Sequence, residues 1–372
     1  MKNRQHLAIV GAGVAGLALA ILAARQGWRV CLYERHERIT TLGAGVTLWP
    51  NALFVLEQMG LAGEVSAVGG APRFVRQWDH RGVSQGERDI QALNVLSGFA
   101  TVTVLRRDLM AILYRAARAQ GVEMHFGRAM TAADIVMLSR EAELVVGADG
   151  RMQSVVREVL FADTVRPRYQ GFVNIVGISE PGPGVLDNAI QDFRGQGERF
   201  GVVPVKPGVC YWAAGWRASL DRARPVTRWY EEMHGRFQHW PEPVKTALAC
   251  HEKGSRHRIF VHDMDPLPYW HRGNVLLIGD AAHAPLPTSG QGACQALEDA
   301  WHLGRLLDES GDLPAMLATF YQRRIDKCCA AQHAGRQLAE QLFAETPVPL
   351  SAAPVGSMAQ LSAFWMRGLG PL

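Results

Sequence analysis

The sequence predicts a mixed α/β chain in which a Rossmann-like parallel layer is split by an inserted antiparallel sheet and closed by C-terminal helices. Three observations carry this reading. The first 35 residues run as strand, helix and strand around a glycine-rich turn. Between about residues 171 and 216 the chain changes to closely spaced strands separated by Pro and Gly, as in Pro181-Gly182-Pro183-Gly184 and Lys206-Pro207-Gly208. After residue 274 the alternation of strand, turn and helix returns.

In chain order, a strand at His6–Val10, a helix over residues 14–26 and a strand at Arg29–Tyr33 make one parallel βαβ unit. A helix follows over residues 51–59, with Pro50 at its start and Gly60 closing it. Another helix spans 107–120 and stops at Gly121, before a short strand at 122–126. Long helical patterns cover 291–308 and 312–343, and the Pro-rich stretch 346–354 reads as a linker to a short final helix. This divides the chain into a discontinuous nucleotide-binding domain (1–70, 96–165 and 264–343), a substrate domain (71–95 and 166–263) and a tail (344–372).

The 372 residues are 48% hydrophobic, enough for a large core, and a net charge of +4 spread along the chain argues against nucleic acid. Six cysteines without a CxxC pair suit free thiols in a reducing, cytoplasmic setting. Lys2 and Arg4 before the apolar run 7–24 imitate a leader peptide, but the glycines in that run have a better explanation. Other apolar runs are too short to span a bilayer.

That explanation is the turn Gly11-Ala12-Gly13-Val14-Ala15-Gly16 between the first strand and helix. Gly11 permits the turn, Gly13 lets backbone approach a pyrophosphate, Gly16 lets helix and strand pack closely, and the helix N-terminus faces the phosphates. Glu34, ending the second strand and followed by Arg35, is placed to accept hydrogen bonds from a ribose. A second signal is Gly147-Ala148-Asp149-Gly150 after a buried strand, with Arg151, Ser154 and Arg157 behind it. The third is Gly279-Asp280-Ala281-Ala282-His283, then Pro285, Pro287, Gly290-Gln291-Gly292-Ala293 and a helix with Glu298 and Asp299. It puts an acceptor for sugar hydroxyls beside a helix N-terminus suited to negative charge.

Together these motifs resemble the group A flavoprotein monooxygenases, the para-hydroxybenzoate hydroxylase superfamily, in the style of its short urate, alkylquinolone and zeaxanthin-epoxidase-like members, over roughly residues 6–335. Smaller matches are Gly43-Ala44-Gly45, Pro50-Asn51 and Arg106 with Leu109. The resemblance implies that FAD is bound by Gly11, Gly13, Ala15, Gly16, Glu34, Arg35, Gly45, Arg106, Asp149, Gly279, Asp280, Gly290, Gly292 and Ala293. Within that set Glu34 would meet the adenosine ribose, Arg106 the pyrophosphate side, Asp280 the ribitol, and the backbone of 290–293 the pyrimidine edge. It further implies NADH or NADPH as transient reductant, O2 as co-substrate, and transfer of one oxygen atom from a flavin C4a-hydroperoxide to an aromatic or N-heteroaromatic small molecule. Two departures stand out. The segment 127–142 is too short for the family's β-hairpin, and the loop 284–290 lacks the Asp carried by urate-hydroxylating relatives, which disfavours urate.

The strands around 199–205 and 209–216 are expected to roof the flavin, with Arg199 and Tyr211 offering a cation and a phenol toward substrate above small residues, and Pro287 completing the catalytic set. Alternatively Arg199 ends an edge strand in solvent and Tyr211 packs in the core. Trp49, Phe193 and the 284–290 loop are the next candidates, and Trp212 and Trp216 read as ordinary core. His283 reads as a packing and hydrogen-bonding residue, and no metal-ligand spacing occurs. The alternatives to hydroxylation are an NAD(P)H oxidase or dehydrogenase without productive oxygen insertion, or a non-catalytic flavin-binding module. A monomer or homodimer, with no membrane segment, completes the expectation.

Overall fold

The strand His6–Val10 is apolar along nearly its whole length because parallel neighbours flank it on both sides and helices cover both faces. A computed structural model describes residues 5–40, 43–162, 164–309, 311–343 and 357–370. In it this strand sits within a six-stranded sheet of order His271–Arg272, Val275–Leu277, Leu144–Gly147, His6–Val10, Arg29–Tyr33, Glu123–His125. Every pair is parallel except the first. The sheet is thus assembled from chain segments on either side of the insertion, and the leader-like run 7–24 is its first strand and first helix, within the main core.

The glycine turn works by steric exclusion. Gly11 has φ +108°, and a Cβ there would lie 2.3 Å from the carbonyl oxygen of Ala148. A Cβ on Gly16 would lie 2.0 Å from the carbonyl oxygen of Gly11. The helix Val14–Arg25 therefore lies directly on the turn, and it packs along the later helix Gly292–Asp308.

The inserted sheet has seven strands in the order His257–Asp263, Arg168–Ser179, Val209–Arg217, Glu198–Lys206, Ala189–Arg194, Phe74–Asp79, Ser84–Asp89. It departs from the expected antiparallel pattern at one junction, where Ala189–Arg194 runs parallel to Phe74–Asp79. That junction joins segments far apart in sequence, so no hairpin dictates its direction. One face carries Phe193, Phe200, Trp212 and Trp216, packed on Trp229, Met233, Phe237 and Trp240 of and beside the helices Val226–Phe237 and Glu242–Ala249. Phe200 lies 5.5 Å from Trp212 and 5.3 Å from Phe237, ring centre to ring centre. The opposite face looks toward the nucleotide-binding layer.

The segment too short for a hairpin forms the helix Ala132–Glu141, opened by a capping box in which Thr131 and Asp134 each satisfy the other's backbone N–H. The long helix Leu313–Phe343 follows the second half of the parallel layer. The final helix, Met358–Met366, packs on Ile90–Ser97 and Pro50–Gln58, while the expected linker 346–354 lies outside the described residues. Among the described residues no helix is long and apolar enough to cross a membrane.

Because the Gly16 contact is with backbone rather than a movable side chain, Gly16→Ala should destabilise the fold by about 1–3 kcal/mol, the usual cost of overpacking. The check is the urea midpoint, which should fall with an unchanged slope. An unchanged midpoint would show that turn and helix can separate freely.

Candidate functional site

The turn that opens the first helix differs at its middle glycine. Gly13 is the helix N-cap, with φ −80° and ψ −171°, an extended backbone open to any residue. No atom of the described residues lies within 4 Å of the position of a Cβ on it. Here the protein itself does not demand glycine, so the missing side chain keeps the helix N-terminus approachable from outside. Glu34 braces the same turn: Oε2 accepts from the Ala12 N–H at 2.8 Å, and Oε1 accepts from the His36 N–H at 3.0 Å. Arg35 is exposed. Ala15 fixes the spacing to the third motif, since a Cβ on Gly279 would stand 3.0 Å from its methyl.

Further along, Arg106, Arg151 and Asp280 converge. Asp280 accepts from Arg151 through Oδ2, at 2.9 Å from Nη2 and 3.1 Å from Nε. Burial opposes its charge, yet Arg151, and less strongly His283 and Arg106, hold its carboxyl below the usual range. Arg106 follows the strand Val102–Leu105, and its Nε is buried without a hydrogen-bond partner among the described residues. A Cβ on Gly43 would lie 3.1 Å from the Arg106 Cδ, so that glycine shapes the channel for the arginine stem. Asp149 turns inward, accepting from Ser154 Oγ at 2.5 Å and the Val156 N–H at 3.3 Å. Burial pushes its carboxyl above the usual range, and its part is to shape the second turn.

The third motif rests on buried charges. Asp299 Oδ2 accepts from the Gly279 N–H at 2.7 Å and from His283 Nε2 at 2.5 Å, while Oδ1 accepts from Arg324 Nε at 2.7 Å. Arg324 also donates to Glu298 Oε2 at 2.6 Å and to Gln295 Oε1 at 2.6 Å. Glu298 takes Lys327 Nζ at 2.9 Å and Asn51 Nδ2 at 2.7 Å, and Asn51 reaches Gln291 at 3.0 Å. Burial works against a charged His283, but Asp299 beside it outweighs that and keeps the imidazole protonated well above its ordinary range. Burial likewise opposes the Asp299 charge, and His283 and Arg324 bring its carboxyl down to about 2. His283 is thus buried and braced by Asp299, where it holds the turn. The network fixes both ends of the loop 279–292: Gly279 through Asp299, and Gln291 through Asn51. Gly290 has φ +65° beside Trp49, and the helix beginning at Gly292 points its first N–H groups outward with Ala293 in that turn. Pro287 opens a short 3-10 turn and is exposed.

On the inserted sheet, the register puts Arg199 opposite Gly215, Gly201 opposite Ala213 and Val203 opposite Tyr211. These residues share the face toward the loop strand Gly45–Leu48. The Tyr211 ring occupies the space of a Gly45 side chain, whose Cβ would lie 2.1 Å from it, and the phenol meets Thr47 Oγ1 at 2.9 Å. Burial raises the Tyr211 phenol above its ordinary range. Two expectations change here. Tyr211 is wedged among Ala44, Leu105, Ile178 and Val205, so Gly45 makes room for a tyrosine and the phenol is engaged by Thr47. Arg199 does not end an edge strand in solvent: its strand lies between two others, and its Nε donates to buried Asp192 at 2.5 Å. Phe193 faces the opposite, aromatic core and is removed from the candidates. A cavity of about 320 Å³ lined by Phe172, Arg217, Leu286, Arg336 and Phe343 begins where the small-residue face ends, with Phe343 against Gly215. Sequence reading passed over Asp192, Arg324 and Lys327, because none sits in a motif and a charged residue on a helix or strand reads as solvated.

A family model described as "FAD binding domain" matches residues 4–324. The chain is 30% identical over 342 residues to aurachin C monooxygenase/isomerase of Stigmatella aurantiaca, covering 88% of this chain and 87% of that protein. It is 29% identical over 363 residues to 6-hydroxynicotinate 3-monooxygenase of Bordetella bronchiseptica, covering 89% and 91%. Among solved structures, Klebsiella pneumoniae HpxO complexed with FAD and uric acid superposes with a TM-score of 0.80 at 24% identity, covering 98% of this chain and 93% of that one.

The residues present suit FAD. An unpartnered buried guanidinium nitrogen on Arg106 and an unobstructed helix N-terminus at Gly13 are what a pyrophosphate requires. The unshared Asp280 oxygen and the N–H groups at 292–293 can serve the ribitol and the flavin's polar edge. Since a side chain at Gly13 meets none of the described residues, Gly13→Val should leave the thermal midpoint of the apoprotein nearly unchanged and abolish FAD binding. A Gly13→Val protein that purifies yellow would refute the pyrophosphate assignment. Asp280→Ala should weaken FAD by about 1–3 kcal/mol, since it removes an acceptor and leaves Arg151 Nε and Nη2 without their carboxylate. Equal FAD affinity in titrations of the two apoproteins would exclude Asp280 from cofactor binding.

Proposed function

The chain belongs to the FAD binding domain family as a group A flavoprotein monooxygenase of the aromatic-hydroxylase type, and on that premise we propose that it hydroxylates an aromatic or N-heteroaromatic small molecule at the expense of NADH or NADPH. FAD, held by the Gly13 helix N-terminus, Arg106 and Asp280, would supply the redox chemistry, hydride acceptance from the nicotinamide and activation of O2. The protein's part is positioning. The observation that carries the reading is the sheet face of Arg199, Gly201, Ala213 and Gly215, which looks toward the nucleotide-binding layer and presents a cation over a floor of small residues that Asn174 and Phe343 close at Gly215. A planar ring fits such a floor, and the adjoining cavity has the size of a small-molecule site.

Within this proposal Arg199 binds substrate, Tyr211 fixes the sheet to the Gly45–Leu48 strand, and Pro287 borders the ring. The helix starting at Gly292 would favour negative charge developing on the reduced flavin. The relatives act, by their names, on 6-hydroxynicotinate and aurachin C. Ring substrates of that general kind are the proposed class, and urate is disfavoured because no Asp stands in the loop 284–290. The division into a discontinuous FAD domain and a substrate domain carrying the seven-stranded sheet belongs to the same proposal, as does a cytoplasmic monomer or homodimer with reduced thiols. All six cysteines are unpaired.

A screen of aromatic compounds for faster NAD(P)H oxidation, with labelled O2 to score incorporation against peroxide release, tests the reading. Incorporation supports hydroxylation, and peroxide alone for every stimulating compound would favour the oxidase alternative. With full FAD occupancy, Arg199→Ala should lower stimulated kcat/KM by roughly tenfold or more, the equivalent of one charge-assisted bond at about 1.5–3 kcal/mol. Tyr211→Phe should cost less, since it removes only the Thr47 bond. Unaltered stimulation in both would move the substrate toward Trp49 and the 284–290 loop.

A further inference from the structure

Two arginines on neighbouring strands share one buried carboxylate. Arg194 stands directly opposite Arg199, and Asp192 opposite Gly201, on the face that looks toward the nucleotide-binding layer. Asp192, 5% exposed, divides its oxygens: Oδ1 accepts from Arg199 Nε at 2.5 Å, and Oδ2 accepts from Arg194 Nε and Nη2 at 2.7 Å each. Burial alone would raise its carboxyl, but the two guanidinium groups hold it below the usual range, so it is ionised at neutral pH. Asp79, opposite Arg194 on the next strand, gives its Oδ1 to the N–H groups of Arg81 and Val83 and adds no acceptor here. Two guanidinium charges against one carboxylate leave a positive charge over.

The position of that excess is fixed. Arg194 spends both its bonds on Asp192, whereas Arg199 spends only Nε. Among the described residues Arg199 Nη1 and Nη2 have no partner. The guanidinium lies over Gly201, where a Cβ would stand 3.5 Å from Nη2 and 3.8 Å from Cζ. The glycine therefore leaves room for the arginine, which Asp192 holds at Nε alone. A planar fork held at one nitrogen and free at two others matches a carboxylate, or an equivalent ring oxyanion, in bidentate geometry.

We propose that Arg199, oriented by the carboxylate it shares with Arg194, seats one ionised acid group of the substrate, so that the enzyme selects monoanionic ring acids over their neutral counterparts. This rests on the reading that the Arg199 face is the substrate side. Arg194 is then a positioning residue: it occupies half of Asp192, and without it Asp192 could close on both sides of Arg199 and cancel its charge.

The test uses the oxidised, FAD-loaded enzyme without nicotinamide or turnover, titrating matched pairs and reading perturbation of the flavin absorbance. The probes are benzoate and benzamide, nicotinate and nicotinamide, and 6-hydroxynicotinate and its amide. At least one acid should bind tenfold or more tightly than its amide. Arg199→Met should reduce that preference to threefold or less. Arg194→Met should do the same although it touches no ligand, while Arg194→Lys, which keeps the charge, should retain most of the preference and guards against misfolding of the methionine variant. Arg228→Met, on an exposed ion pair elsewhere, should change nothing. Amides binding as well as acids, or no acid perturbing the flavin, would overturn the proposal. An unchanged preference in Arg194→Met would overturn the role of the shared carboxylate. Failure of hydroxylation would appear as absent oxygen incorporation with the acid preference intact, so the two readings fail separately.

Discussion

Asp299 is the point on which the nucleotide-binding layer closes. The parallel sheet is interrupted after Leu144–Gly147 by five of the seven strands of the inserted sheet, and the chain must return to set Val275–Leu277 beside that strand. What defines the turn after the returning strand is one buried carboxylate that takes the Gly279 N–H, the His283 imidazole and the Arg324 guanidinium. Such a cluster adds little net stability relative to a well-packed apolar core, because each charge gives up its hydration. Its value lies in asymmetry: removing one partner leaves the others buried and unpaired, at about 3–5 kcal/mol. The loop from Gly279 to Gly292 is therefore held to one conformation, and its polar groups face the site without rearranging when a ligand arrives.

The same network makes distant segments depend on one another. Glu298 ties Asn51, at the start of the second helix, to Arg324 and Lys327 on the long C-terminal helix, and Lys327 donates to the Trp365 carbonyl in the last helix. The first, middle and final parts of the chain thus meet behind the loop 279–292. A dinucleotide site split along the sequence needs a device of this kind, because backbone pairing between Val275–Leu277 and Leu144–Gly147 covers only three residues.

Much of this was legible in the sequence, and the boundary of legibility has a physical meaning. The first strand, turn, helix and second strand could be read almost residue by residue, because glycine positions and hydrophobic period are local signals. Alternation along a strand was also enough to separate Tyr211 from Trp212 and Trp216, since neighbours on a strand face opposite ways. The helix Ala132–Glu141 carries Thr131 and Asp134 at capping-box spacing, a local signal in a segment whose sequence reads only as too short for a β-hairpin. The fit of Tyr211 into Gly45 was not legible, because it joins two segments related only by the packing of one sheet on the other layer. Nor was Asp192, whose two arginines come into reach through register between strands. Arg324 and Lys327 looked like the solvated side of a helix, and only the tertiary fold shows them with almost no exposure.

The inserted sheet explains why such register-dependent contacts can be relied upon. Its far face is filled by Phe200, Trp212, Trp216, Trp229 and Phe237, large rings that interlock and leave no room for the strands to slip. A slip of one residue would exchange the faces, driving Arg199 and Tyr211 into the aromatic core and Trp212 toward the flavin layer. The aromatic side thus holds the register, and the near side can be built from Gly201, Ala213 and Gly215 without losing definition. Small residues contribute little packing of their own, so a floor made of them would be poorly fixed on a free sheet. Here the packing is done on one face, and on the other Arg199 and the carboxylate that orients it are held at a fixed height over Gly201, with Asn174 and Phe343 closing the small-residue floor at Gly215.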